Sequence, residues 1–468
     1  MQTFSRDTVA ETRTPATTDP PPAPSSGHDA TTPAAPASPS LQTAGPLRRN
    51  LRFQALWIGS TSSTLGVAVA DIAYPLLILM ITGSPAKAGL FAAVQTIGAL
   101  AAGLPAGSLA DRYDPRSIVL VAETCRVVVT VAVVLALVTG RLSLPLLLAA
   151  AALLGIGYAA CGAARLLLLR SVVPAAQLTA ALTQDQVRTN GAGIAGPALG
   201  GALYSVRALA HAVPFVFTAA AFAIAMVTTA FLPRRAMDQP RDDHPQDEDQ
   251  PPAAAGQGGM LAGVRVLWGQ PMLRASVILI MIVNTLGAGL DLVIIVLLHH
   301  QSVPSAQIGI ILGVGSAGGI AGIGFVKVLH RLRPGVMLLA VCLNFTVVVA
   351  LLAVPFGRWW VAGLLFTAML GIPAIQVAVD ILIIRQAPAA QRGRVIAALM
   401  TLIGLGMPAG LVGCGLLLQY VPAQAATLTL AAVLAAGVAY SATKREMRHA
   451  PWPVSRSLTK RPQQEPSS

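Results

Sequence analysis

Charge is what this sequence has least of. Only 11% of its 468 residues are Asp, Glu, Lys or Arg, where a soluble chain of that length carries roughly a quarter. With 54% of the residues hydrophobic, a water-soluble fold would have no surface left to expose, so the apolar residues must face lipid. Cysteine is scarce as well. Cys125, Cys161, Cys342 and Cys414 fall singly within apolar segments, and no spacing among them suggests a disulfide framework or a metal site. No phosphate loop of the G-x-x-x-x-G-K-[ST] kind occurs, which argues against a self-contained ATP-driven machine. Nor is there a catalytic constellation. His299-His300 stands on a loop without adjacent acids or cysteines and reads as solvated, so neither an enzyme nor a resident metal or cofactor is expected.

What is present is a series of long apolar runs. A helix needs roughly 20 such residues to cross a bilayer, and segments such as Val127 to Val138, Leu144 to Leu169 and Ala425 to Ala442 meet or approach that length with few or no charges. The runs are continuous rather than alternating, which favours helices over barrel strands. The expected fold is an all-α membrane protein with twelve transmembrane helices in two six-helix bundles related by a pseudo-two-fold repeat. Residues 1–46, rich in Pro, Ala, Ser and Thr and without the apolar h-region of a signal peptide, read as a disordered cytoplasmic tail. Residues 47–232 form the first bundle, the acidic and Pro-rich 233–260 a cytoplasmic linker, 261–442 the second bundle, and 443–468 a basic cytoplasmic tail.

The net charge of +13 is a matter of topology rather than of nucleic-acid binding. With the N-terminus placed inside, the inner loops and tails hold 25 Lys and Arg, the outer loops hold four (Lys87, Arg141, Arg207 and Arg358), and three (Arg126, Arg165 and Arg188) lie within spans. That split follows the positive-inside rule and puts both termini in the cytoplasm. The halves also echo each other at a separation of roughly 215 residues. Thr64-Leu65-Gly66 recurs as Thr285-Leu286-Gly287, and the Arg170 to Gln177 segment recurs as Arg385 to Gln391, a parallel duplication of the kind seen around central transport pathways.

Between spans two and three stands Gly107-Ser-Leu-Ala-Asp111-Arg112-Tyr-Asp114-Pro115-Arg116, which resembles the loop signature of the major facilitator superfamily. Pro115 takes the place of a usual basic residue. The fifth span contains Gly196-Pro197-Ala-Leu-Gly200-Gly201, similar to the motif core of exporters in that superfamily. Small residues there let helix backbones meet, and Pro197 bends the helix. The Asn50 to Trp57 run, the Thr82-Gly83-Ser84 exit from span one and Arg392-Gly393-Arg394-Val395 are similar to the macrolide-efflux and enterobactin-exporter branch. The resemblance covers roughly residues 47–442. It implies secondary active export, commonly in exchange for protons, with Gly107, Asp111, Arg112, Asp114 and Arg116 forming a cytoplasmic gating loop.

Five acids lie inside spans: Asp71, Glu123, Asp185, Asp291 and Asp380. Each costs from about 2.5 kcal/mol upward to hold in the membrane and so needs a partner or a wet cavity. Glu123 and Arg126, at i,i+3, read as a structural pair supporting the gate, and Asp185 with Arg188 as a solvated helix end. Asp71 and Asp291 occupy similar places in spans one and seven and have no opposite charge within a turn, which makes them candidates for carrying a proton. Arg165 and Asp380 correspond between spans four and ten, and a salt bridge between them would close the cytoplasmic side. A second possibility for Asp71 is a pairing with Arg165.

The function expected is proton-driven antiport of a small organic compound (a drug, natural product or siderophore-like molecule) out of the cell. The protein would be a monomer in the lipid bilayer of the cell membrane, binding its small-molecule substrate and protons and no nucleic acid. The proton gradient, with no cofactor, is the energy source. An importer, an uncoupled facilitator and a non-transporting membrane sensor are the alternative readings of the same residues.

Overall fold

The computed structural model describes residues 50–206, 211–232, 265, 268–269, 271–329, 331–354, 356–377 and 392–444. Every regular element of any length among them is a helix. The first half contains α1 (Leu51–Thr82), α2 (Pro85–Arg112), α3 (Pro115–Val138), α4 (Leu144–Val172), α5 (Leu178–Ser205) and α6 (Val213–Ala230). The second contains α7 (Pro271–Ala288), α8 (Leu290–His300), α9 (Ser305–Leu329), α10 (Pro334–Leu351), α11 (Arg358–Leu370), α12 (Arg392–Tyr420) and α13 (Ala423–Thr443).

Local chemistry sets the helix ends. The Asn50 side chain accepts from Arg52 N–H at 3.1 Å and Phe53 N–H at 3.2 Å, capping α1, and its own amide donates to Val172 O at 3.1 Å. The start of α1 and the end of α4 are thereby tied at one face, called here the Asn50 end. At the other end α1 stops on Gly83, whose φ of 61° is the left-handed conformation that glycine enters without strain. Ser84 then caps α2, with Pro85 in the first turn, where its missing N–H costs nothing.

Among the described residues, eleven stretches are long and apolar enough to cross a membrane, with α7 and α8 together making one of them. The twelfth span expected from the sequence is α5. It is 28 residues long, about 42 Å at 1.5 Å per residue, but Gln184, Asp185, Gln186, Arg188, Thr189 and Asn190 crowd its first half. The seventh span, expected as one helix, is broken at Gly289, where the N–H turns back to Leu286 O at 3.2 Å instead of continuing the α-helical ladder. The glycine makes room for Cys414, which sits against its Cα where a side chain would stand. Asp291 follows in the first turn of α8, where a helix N-terminus favours negative charge.

The two halves repeat one contact pattern. In the first, α1 meets α5 and α6, α2 meets α4, and α3 meets α4 and α6. In the second, α7 meets α12 and α13, α9 meets α11, and α10 meets α11 and α13. These are the same pairs displaced by one half, which is the pseudo-two-fold arrangement. Between the halves, α2 runs against α12 and α5 against α9. Since α2 corresponds to α9 and α5 to α12, the two seams exchange under that axis.

Both seams are tight at the Ser84 end. A methyl group at Gly89 would stand 2.5 Å from Leu411 O, and one at Gly415 would stand 2.9 Å from Pro85 O. In the other seam Gly201 faces Ser305 O, Gly309 faces Pro197 O, and a methyl at Gly313 would lie 2.7 Å from Ile194 O. Ser84 Oγ donates to Gln419 Oε1 at 2.6 Å across the first seam. Toward the Asn50 end the same helices part, and Gly103, Gly107, Gly191 and Gly193 have open space beside them. The described helices are thus closed together at one end and splayed at the other.

The seam gives a direct prediction. Gly415→Leu puts a side chain where backbone now meets backbone, so the Ser84 end cannot close. Spin labels at the exposed Leu90 and Leu416 should move apart in the variant when read by double electron–electron resonance. An unchanged distance distribution would show that the seam is not sterically limited.

Candidate functional site

A cavity of about 360 Å³ lies within the first half, walled by α1, α3, α4 and α5. The α1 residues run from Phe53 to Val67, those of α4 from Tyr158 to Leu169, and those of α5 from Ala181 to Thr189. All three stretches belong to the half of each helix nearer the Asn50 end, so the cavity sits where the halves have parted.

Behind its wall is a buried ion network. Glu123 is 0% exposed and Arg126 2%. Arg126 Nη1 donates to both Glu123 oxygens at 3.3 Å and to Ser63 Oγ at 2.9 Å, and the Ser63 hydroxyl in turn donates to Glu123 Oε1 at 2.8 Å. Arg165 Nη2 reaches the same Oε1, and Cys161 Sγ lies 3.6 Å from it. The Arg126 guanidinium rests 3.7 Å from the centre of the Phe222 ring, a cation–π contact. Gly157 makes this placement possible, since a methyl group there would come within 2.8 Å of Arg126 Cγ. One carboxylate thus serves two arginines, and the excess positive charge faces the cavity.

A second pair completes the wall. Arg188 Nε and Nη2 donate to Asp185 Oδ1 at 3.1 and 2.5 Å, and Nη1 donates to Thr64 Oγ1 at 2.7 Å. Asp185 is 46% exposed and Arg188 7%. The pair lines the cavity and joins α5 to α1; Asp185 is solvated, in keeping with the helix-end reading, while Arg188 turns inward.

Beneath the large cavity lies a small one of about 20 Å³, which shares Val67, Arg126 and Tyr158 with it and is reached by Asp71, Tyr74, Gln95 and Thr218. That is room for a single water with several polar partners. Asp71 has the Gln95 amide beside it, and it stands near enough to Asp291 to repel it. The Asp71 and Asp291 side chains are each uncovered on one side, and neither makes an ion pair among the described residues.

The remaining sequence candidates fall as follows. Arg165 takes Glu123 on the adjoining helix as its carboxylate partner, not Asp71; Asp380 lies outside the described residues. Glu123 and Arg126 stand about 12 and 17 Å along α3 from its start, away from the loop, Arg126 in the cavity wall and Glu123 behind it. Within the loop, Asp114 caps α3 by accepting from Arg116 N–H at 3.4 Å and from Ser117 Oγ at 3.1 Å. The Arg116 side chain donates to Thr229 O at 3.3 Å and Ala230 O at 2.7 Å, the last carbonyls of α6, where a cation complements the helix dipole. Arg112 is exposed, Gly107 has open space beside it, and Asp111 falls in the last turn of α2. Gly196 and Gly200 press on Ala68 and Val69 of α1, while Pro197 and Gly201 face α9.

Sequence reasoning missed Ser63, Thr64, Gln95, Gly157 and Phe222. Only the three polar ones left a trace, as hydrogen-bonding side chains inside apolar spans.

Comparison with known proteins locates this geometry. The sequence model of the Major Facilitator Superfamily matches residues 56–411. Solved structures share the fold at low identity. The nucleoside transporter NupG has a TM-score of 0.66 at 14% identity over 84% of this chain and 98% of its own. A bacterial homologue of the human lysosomal transporter Spinster, inward-facing and unoccupied, has a TM-score of 0.61 at 16% identity over 85% of this chain and 94% of its own. A bacterial homologue of the iron transporter ferroportin, inward-facing, has a TM-score of 0.61 at 16% identity over 84% of this chain and 100% of its own. No curated protein sequence matches the chain significantly.

Proposed function

Since this chain belongs to the major facilitator superfamily, we propose that it is a secondary active exporter that moves a small organic compound out of the cell in exchange for protons. The family and the fold make it a multi-pass membrane transporter; direction, coupling and substrate are the proposal. One observation carries it: a charged cavity opens at the Asn50 end, while backbone-tight seams close the opposite end. That is one face of an alternating-access cycle, in which rocking of one bundle against the other presents a central site to each side in turn.

The charge count supports direction. The sequence pattern assigns 25 of 32 Lys and Arg to the inner loops and tails, so by the positive-inside rule the Asn50 end is taken as cytoplasmic, and a cavity facing the cytoplasm is loaded from there. The Gly196-Pro197 to Gly200-Gly201 core, similar to that of exporters, points the same way. Coupling is assigned to Asp71, with Asp291 as its counterpart across the axis. The gating loop holds α3 against α6 at the cytoplasmic face, and the unit that transports is a single chain in the cell membrane.

Two measurements test this. A cysteine introduced into the 233–260 linker of a cysteine-free variant should react with an impermeant maleimide only after the cells are opened. Labelling of intact cells would invert the topology and the direction with it. Compounds that accumulate in cells lacking the protein should be pumped into inside-out vesicles when the vesicle interior is acidified. Pumping that is indifferent to the pH gradient would remove proton coupling.

A further inference from the structure

The inference rests on the transport reading and names the kind of compound the cavity takes. Its wall carries Arg126, Arg165 and Arg188, and the acids that answer them are Glu123 and Asp185. Three guanidinium groups therefore meet two carboxylates. Glu123 lies behind the wall, 0% exposed and already crowded with donors at Oε1. Asp185 gives one oxygen wholly to Arg188. The third carboxylate nearby, Asp71, attracts Arg126 from the smaller cavity on its far side and does not line the large cavity that Arg165 and Arg188 face.

The donors are not all used. Arg165 spends one nitrogen on Glu123, is 18% exposed, and shows no partner for its other two nitrogens among the described residues. Arg165 and Arg188 are close enough to repel each other. Two further buried donors facing this region, Trp57 Nε1 and Arg126 Nε, find no acceptor among the described residues. The rest of the wall is apolar and includes Phe53, Leu56, Leu166 and Leu182. At about 360 Å³ the cavity is at the small end of ligand pockets, which run from about 300 to 1,000 Å³. A site with one surplus cation, spare donors and greasy walls is complementary to an amphipathic anion.

We propose that the cavity binds amphipathic monoanions, a body of one or two rings bearing a single carboxylate or similar acidic group, with the anion held between Arg165 and Arg188 and the rings against Trp57 and Leu182. The anion neutralises the surplus guanidinium charge. Asp185 is its built-in competitor, since it occupies Arg188 whenever the cavity is empty.

The test uses the full chain in lipid nanodiscs and three tritiated probes that share one ring system: 1-naphthaleneacetate, its methyl ester and 1-(2-aminoethyl)naphthalene. The acid should bind about tenfold or more tightly than either of the others, the size of one charge-assisted hydrogen bond. Arg188→Gln should remove that preference, bringing the acid down to the level of the ester measured on the same variant. Arg188→Lys should restore part of it, and Asp185→Asn should tighten the acid severalfold, so the proposal stays testable even where the glutamine variant folds poorly. Equal or tighter binding of the amine, or an Arg188→Gln loss shared by all three probes, overturns it. Flux of the same probes through proteoliposomes separates this from the transport reading. Selective binding without flux keeps the anion site and removes transport, whereas flux of ester or amine without acid binding keeps transport and removes the site.

Discussion

Asp71→Asn is expected to abolish concentrative, pH-driven export while leaving substrate binding and passive exchange in place. Asparagine has the shape of the protonated acid and cannot release a proton, so a cycle that depends on loading and unloading that proton stalls as an energy converter and survives as a carrier. The geometry supports the choice of residue. Asp71 is uncovered on one side, has no ion-pair partner among the described residues, lies beside Gln95, and lines the small cavity, which shares Arg126, Val67 and Tyr158 with the large one. An acid locked in a salt bridge could not exchange protons with both compartments. Asp71 is not locked, because Glu123 has taken both Arg126 and Arg165. The measurement is uptake into vesicles with and without an imposed pH gradient, paired with counterflow at zero gradient. If the variant still concentrates substrate with normal pH dependence, the coupled proton resides elsewhere, with Asp291 next in line.

Glu123→Gln is expected to cost about 3–5 kcal/mol of stability, the penalty for leaving a buried partner charge unanswered. Arg126 is 2% exposed, its remaining direct contacts, Ser63 and the Phe222 ring, are neutral, and Asp71 acts on it only across the small cavity. The double variant Glu123→Gln/Arg126→Gln should recover part of the loss, because it removes the stranded cation as well as its acid, and the coupling between the two is read from the cycle. Asp185→Asn is the control. Its carboxylate is 46% exposed beside an Arg188 that is 7% exposed, so water can take the place of the acid there and the expected loss is smaller than for Glu123. Thermal denaturation in one detergent compares five proteins: the wild type, Glu123→Gln, Arg126→Gln, the double variant and Asp185→Asn. A Glu123→Gln midpoint matching that of Asp185→Asn would show that the network does not hold the bundle together.

Much of the architecture was readable in advance because lipid imposes a blunt rule: a spanning segment must be long, apolar and helical. Apolar runs and the basic loops between them carry that information directly. α5 shows where the rule stops. Its first half is too polar for lipid, and the same residues that spoil its hydropathy, Asp185, Arg188 and Thr189, line the cavity. The failure of the pattern was itself the marker of the site. The partners of Glu123 were less accessible. Ser63, Arg126 and Arg165 come from three helices and meet only through the rotation of each about its axis, and Gly157 matters for the volume it leaves vacant. A span holding both an acid and a base at i,i+3 suggested a closed pair, whereas the packed bundle shares one acid between two bases.

The glycine seams also bear on electrical insulation. A membrane that stores energy as a proton gradient is discharged by any continuous file of water, however narrow, since protons hop along such files. At the Ser84 end the backbones of α2 and α12, and of α5 and α9, touch with no side chain between them, and even a methyl group at Gly415 would be crowded to 2.9 Å from Pro85 O. No water fits in a gap of that size. Closure by backbone contact therefore acts as a dielectric plug, and the seam must part along much of its length, not loosen locally, before ions can leak.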